Sequence, residues 1–324
     1  MANIKEVAKN AGVSVATVSR FLNKKGYVSE TAKENIEMAI AELNYRPNHV
    51  ARSLSTKQSN LIGLIVPDIT NPFFPELARA VEDIALSFDY TVVLCNSDEN
   101  PEKEEQYINM LTQKYIAGFI VSSNQLTSPH YDIDVPIVAL DRAIHPSIPT
   151  VTTDNVEGAR IGTQYLLDCG ATNIVCMRGP VGLGPADDRL KGFLQATEGK
   201  DIQTHIIESP FYFEPSEKVA EKFLKEFPEV DGIFASSDTS AIAALKMAQA
   251  MGRDVPNDLQ IVGFDGVQMG KMVSPSLTTV AQDIYEMGAY ATKMLIKMIE
   301  GQELLEKNIN ISAELVVRGT TRGE

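Results

Sequence analysis

From Leu61 onward, short apolar runs alternate with stretches whose apolar residues recur at helical spacing, and no other feature constrains the fold as tightly. The runs are 61–66, 91–95, 116–121, 135–140, 173–177, 232–235, 260–264 and 277–281. Between them lie amphipathic stretches at 74–87, 102–113, 156–168, 186–197, 215–226 and 239–251, with a last one at 284–299. A strand followed by a helix and another strand packs as a parallel crossover, so this region is predicted to be α/β. Residues 60–324 are more than one sheet comfortably organises, which predicts two lobes with a cleft between them.

The first sixty residues differ in charge. The whole chain carries a net charge of −14, which argues against a polyanionic partner. Residues 1–59, however, hold nine Lys/Arg against five Glu, a balance of +4, and the remainder carries −18. This is the pattern of a small cationic head on an acidic body. Hydrophobic residues at 44% and charged ones at 22% are an ordinary globular mixture, and no apolar run is long enough to span a membrane. The opening MANIKEVAKNAGVS lacks the apolar core of a secretory signal. Three cysteines without CxxC spacing predict neither a disulfide framework nor a zinc site. The expected location is the cytoplasm.

In the head, Ile4, Val7, Ala8 and Ala11 recur on one helical face, and Gly12 suits the left-handed residue that ends such a helix. Ser14 can cap a second helix over 15–22, with Val18, Phe21 and Leu22 inward. A third helix is predicted to open on the capping box Thr31–Glu34, with Ser29 as an equal candidate, and to bury Ala32, Ile36, Ala39, Ile40 and Leu43. Two short helices joined by a Gly-containing turn and braced by a third make a helix-turn-helix. Val15, Ala16, Thr17, Ser19 and Arg20 then face outward. Small side chains at the helix start allow entry into a major groove, where Arg20 can fork onto guanine. Little apolar area is left for a protein partner. Beyond it, Asn48 can cap a stretch through Ser55 that is too short to be stable alone, and Leu54 suits a wedge at a base step.

The runs IKEVAKNAGVSVATVSRFLN (4–23) and LNYRPNHVARSL (43–54) closely resemble the lactose/galactose repressor family, and the resemblance continues through the chain. It implies base reading by Val15, Ala16 and Arg20, and phosphate contacts from Thr17, Ser19 and Asn23. It also implies a hinge helix over about 48–55 whose Leu54 kinks the operator centre. The DNA-binding set is then Ser14, Val15, Ala16, Thr17, Ser19, Arg20 and Asn23 in the head, with Asn48, Ala51 and Leu54 in the hinge. The implied architecture is a helix-turn-helix domain with its hinge (1–59), followed by a two-lobed, periplasmic-binding-protein-like effector and dimerisation domain (60–324).

Ligands of open α/β sheets bind beyond the carboxyl ends of strands. Those ends carry Asn71, Phe73 and Phe74, then Asp141 and Arg142, Arg189, Ser236 to Asp238, Asp265 and Gln282. Rings that cover C–H faces, with carboxylates, amides and guanidinium groups for hydroxyls, make a set suited to a small polyol. Each has a plainer reading: Asp141–Arg142 as a salt bridge, Asp238 as a helix cap, Phe73 and Phe74 as core. The body is similar to bacterial sugar receptors as well, those for ribose above all. The motifs Asn71-Pro-Phe73-Phe74, Asp141-Arg142, Arg189, Asp265-Gly and Ala281-Gln282 coincide with their ligand contacts. Phe213 is taken to match their remaining aromatic wall, and Ser237 stands where they carry Asn. Within the repressor family the resemblance is strongest to regulators of ribose operons.

The implied function is a homodimeric repressor that is released from a palindromic operator when ribose or a related pentose closes the lobes. No heptad repeat points to a tetramer. A repressor activated by a phosphocarrier protein or another corepressor is the alternative, distinguished by an effector that raises operator affinity. A sugar-uptake receptor or a sugar-metabolising enzyme would lack use for the DNA-reading head. The loop Gly179-Pro-Val-Gly182-Leu-Gly184 has no phosphate-loop Lys and is predicted to form a cleft rim. The four histidines are scattered, and no catalytic constellation, metal-ligand set or cofactor motif is read.

Overall fold

The computed structural model describes residues 2–22, 26–45, 59–123 and 133–323. The chain divides into two compact units, Met1–Ser59 and Asn60–Glu324. Asn23, Asn48, Ala51 and Leu54, and with the last three the expected hinge helix, lie outside the described residues.

In the first unit, helices α1 (Ile4–Asn10), α2 (Val15–Leu22) and α3 (Glu30–Glu42) pack around Val7, Val18 and Ile36, all fully buried. Each such side chain stabilises the unit by about 1.5–3 kcal/mol. Asn3 caps α1 in a reciprocal capping box with Glu6, and Gly12 beyond its end is left-handed at φ 65°. Asn10 Nδ2 donates to Glu42 Oε2 at 2.9 Å, tying α1 to the end of α3. The third helix opens two residues earlier than the Thr31 box would place it. Ser29 is its cap, accepting from Ala32 N at 3.3 Å, because this start lets Glu30 reach Lys33 across the first turn.

The second unit contains two parallel-dominated sheets. In the first lobe, β1 (Leu61–Val66), β2 (Thr91–Asn96), β3 (Gly118–Val121), β4 (Ile137–Leu140), β5 (Thr150–Thr153) and β11 (Asn308–Ile311) run parallel in the order β11-β5-β4-β3-β1-β2. In the second, β6 (Asn173–Arg178), β7 (Gln203–Glu208), β8 (Gly232–Ala235), β9 (Gln260–Asp265) and β10 (Thr278–Ala281) run parallel, with β12 (Glu314–Val316) antiparallel at the edge, in the order β12-β10-β9-β8-β6-β7. Helices α4 (Phe73–Ser87) and α5 (Pro101–Thr112) belong to the first lobe. The second holds α6 (Asn155–Asp168), α7 (Gly184–Thr197), α8 (Phe213–Glu226), α9 (Asp238–Ala250) and the short α10 (Met269–Met272). Both faces of each sheet are covered, which is why the central strands read as unbroken apolar runs.

The chain passes between lobes three times. It leaves the first at 153–155 and returns at 282–284 with α11 (Ile284–Ile299), which packs on α4. It crosses again at 311–314. Strand order reverses between β1 and β3 in one sheet and between β6 and β8 in the other, so a crevice opens at the carboxyl ends of both. Among the described residues, no helix is long and apolar enough to cross a membrane.

Candidate functional site

In the head unit, Ser14 Oγ accepts from Thr17 N at 3.1 Å and lies 2.8 Å from Thr17 Oγ1, which fixes the start of α2. Val18 points inward and is fully buried, so the helix presents Val15, Ala16 and Arg20 to solvent, with Thr17 and Ser19 half-buried beside them. The aliphatic part of Arg20 runs beside Gly26, where a Cβ would lie 3.6 Å from Arg20 Cδ. The outward face is small at its N-terminal end and cationic at its C-terminal end.

In the body, a cavity of about 340 Å³, counting its open mouth, lies at the carboxyl ends of both sheets. The first lobe supplies Asn71, Phe73, Phe74, Asp141 and Arg142 to its wall. Leu183, Pro185, Arg189, Phe211 and Asp265 come from the second, and Gln282 sits on a crossing. Asn71 Oδ1 accepts from Phe73 N at 3.1 Å, so the turn before α4 holds the two rings edge to face at 5.1 Å.

The charged groups are deeply set. The guanidinium carbon of Arg189 lies over the Phe264 ring, 3.8 Å from its centre. The side chain donates through Nε to Asn155 Oδ1 (2.7 Å) and through Nη1 to Ser236 O (2.6 Å) and Asp265 Oδ1 (3.1 Å). Gln282 Nε2 donates to the same Asp265 oxygen at 2.7 Å. Burial pushes the Asp265 carboxyl up to about 6, with the charge of Asp141 adding to the rise and Arg189 and Gln282 opposing it. Burial likewise raises Asp141, against the pull of Arg142 and Arg189. Both aspartates occupy the left-handed backbone region, Asp141 at φ 67° and Asp265 at φ 116°, an unfavourable geometry for residues with a Cβ. Such strain persists only where surrounding bonds hold it, and it gathers at functional sites.

Asp238 supplies that hold. Its Oδ2 accepts from Gly266 N (2.8 Å) and Val267 N (2.9 Å), and its Oδ1 from Thr279 Oγ1 (2.6 Å), so it pins the turn that carries Asp265. Burial and the neighbouring Asp265 push its carboxyl up to about 8, opposed by these three bonds. The expected helix-cap role falls to Ser237 instead, whose Oγ accepts from Ser240 N at 3.1 Å. Ser237 is therefore committed to the helix start and does not line the cavity.

The aromatic wall also moves. Phe213 packs on the apolar cluster of the second lobe with Lys246 Nζ 5.3 Å from its ring centre, and Phe211 lines the cavity in its place. The glycine-rich loop makes room for that ring, since a Cβ on Gly179 would lie 2.3 Å from Phe211. The same loop does contribute to the rim, through Leu183, with Pro185 beside it in the first turn of α7. Sequence reasoning thus missed Phe211, Pro185 and the orienting Asn155, and placed Leu183 only as part of the expected rim.

Two family models match the chain: bacterial regulatory proteins of the lacI family over residues 3–48, and a periplasmic binding protein-like domain over residues 163–321. The ribose operon repressor of Halalkalibacterium halodurans is 51% identical over the whole chain and 98% of its own length. The chain belongs to the lacI family of bacterial regulatory proteins. A lac repressor dimer bound to operator and an anti-inducer superposes with a TM-score of 0.87 at 26% identity, over 98% of each chain. A LacI-family regulator from Enterococcus faecium with bound ribose gives 0.73 at 27% identity, over 81% of this chain and 98% of its own. LacI-family membership accounts for the order of the two units, a DNA-reading head before a two-sheet α/β body.

Proposed function

We propose that this chain represses a ribose-utilisation operon, with its head on a palindromic operator and a pentose in the cleft deciding occupancy. One observation carries the reading of the cleft. Asp141, Arg142, Arg189, Asp265 and Gln282 converge, buried, on one cavity that is walled on its apolar side by Phe73, Phe74 and Phe211. Hydroxyl groups both donate and accept, which matches carboxylates set beside guanidinium groups. The ribose-operon relatives and the ribose-bound neighbour support the same reading.

On the DNA side, Val15, Ala16 and Arg20 would read bases, while Ser14, Thr17 and Ser19 would meet phosphates. Asn23, Asn48, Ala51 and Leu54 would extend that contact. Two copies would engage two half-sites, because two-fold protein symmetry mirrors a palindrome. Anisotropy of a labelled operator fragment, titrated with the full chain with and without D-ribose, tests the reading. Ribose is expected to weaken binding about 5- to 150-fold. An increase in affinity would make ribose a corepressor, and no change with any pentose would remove the effector role.

A further inference from the structure

Both guanidinium groups of the cleft already have acidic neighbours inside the protein. Arg189 faces Asp265 at 3.1 Å, and Arg142 lies between Asp141 at 3.5 Å and Glu99 at 3.5 Å. Glu99 is not part of the cavity wall. It stands at the carboxyl end of β2, where Asp98 (φ 56°) and Glu99 (φ 54°) are both left-handed. Bonds from Asp98 N to Pro67 O (2.8 Å) and from Lys103 Nζ to Asp98 Oδ2 (2.5 Å) hold that loop. An acidic side chain is thus placed over a buried arginine by a backbone that is costly to adopt.

The remaining hydrogen-bonding capacity points the same way. Among the described residues, the Asp141 carboxylate is approached only by Arg142, Asp265 Oδ2 has no donor, and Gln282 Oε1 is buried without a partner; one donor, Arg142 Nε, is buried without a partner too. Acceptors outnumber donors in this unused capacity, so the cleft calls mainly for O–H donors. Sugar hydroxyls provide them; in a phosphate ester one of these donors is replaced by a group that is ionised at neutral pH, offers almost only acceptors and adds negative charge. Glu99, Asp68 and Asp98 also lie close enough to Tyr212, next to the cavity-lining Phe211, to help burial raise its phenol, so the approach to the cleft is acidic too.

We propose that Glu99, by pairing with Arg142, makes this cleft select an uncharged sugar over its phosphate ester. The inference rests on reading the cleft as a pentose site. Glu99 acts through Arg142 and is a specificity determinant, not a contact. Calorimetric titration of the full chain with D-ribose and with D-ribose 5-phosphate, in the natural sequence and in Glu99→Gln, tests it. The natural protein should bind the phosphate at least about 100-fold more weakly than ribose. Glu99→Gln should narrow that gap by about fivefold or more, and most at low salt, since the side chain is partly exposed. Equal or tighter binding of ribose 5-phosphate by the natural protein overturns the proposal while leaving the pentose site intact. So does an unchanged gap in Glu99→Gln. No binding of either compound overturns the pentose reading and this inference together.

Discussion

Asp265 shows how much one residue can be asked to satisfy. Its backbone is strained, its side chain is buried, and two donors share one of its oxygens. The other oxygen is the one a sugar hydroxyl would use, and it accepts best when the carboxyl is ionised. Because burial and Asp141 hold this group at about 6, protonation competes with the ligand below that pH. Ribose affinity should therefore fall as pH drops through 6, approaching tenfold per unit well below it. Calorimetry across that range checks the slope, and Asp265→Asn should abolish it along with most of the affinity. At this scale the sequence was partly legible. Asp141, Arg142 and Asp265 were readable because each follows directly on an apolar strand. Phe211 was not, because β7 is an edge strand, Gln203–Glu208, with exposed and half-buried residues alternating and no apolar run to mark its end. Without that anchor, the resemblance to sugar receptors points to Phe213, two positions later.

Among the elements, the α6–α7 pair does most to fix the site. Asn155 opens α6, and Arg189 sits in α7 one turn before Gly192. The helices approach so closely there that a Cβ on Gly192 would lie 2.1 Å from Val156 O and 2.8 Å from Ala159 Cβ. Neither neighbour can yield without moving a helix. Gly192→Ala should cost about 1–3 kcal/mol in denaturant unfolding and weaken ribose binding, since spreading the pair draws Arg189 from Asn155. Full stability with full affinity would show that the helices adjust freely. Periodicity had placed these helices to within two residues, but it could not show their contact. It also passed over β5, β7, β11 and β12, which are threonine-rich, polar or very short, so their pairing comes from neighbouring strands rather than from a local pattern.

The molecule as a whole joins two recognition problems of different physics. On the proposed reading, a head carrying +4 would meet a polyanion through exposed groups, whereas the body, at −18, would enclose its ligand among buried charges. Operator affinity should consequently fall steeply with salt through counterion release, and ribose affinity should hardly respond. Gln282 lies where the chain crosses between lobes and bonds Asp265, so the proposed ligand contact and the lobe geometry would share a residue. If ribose lowers operator affinity through a change of conformation, thermodynamic linkage requires operator DNA to lower ribose affinity by the same factor. Both factors can be measured on one preparation, by operator anisotropy at saturating ribose and by ribose calorimetry at saturating operator. Agreement within error, somewhere in the range of about 5- to 150-fold, is the expected result. A ribose effect on operator binding with no reciprocal effect on ribose affinity would mean that the sugar acts elsewhere than in a cleft coupled to the head.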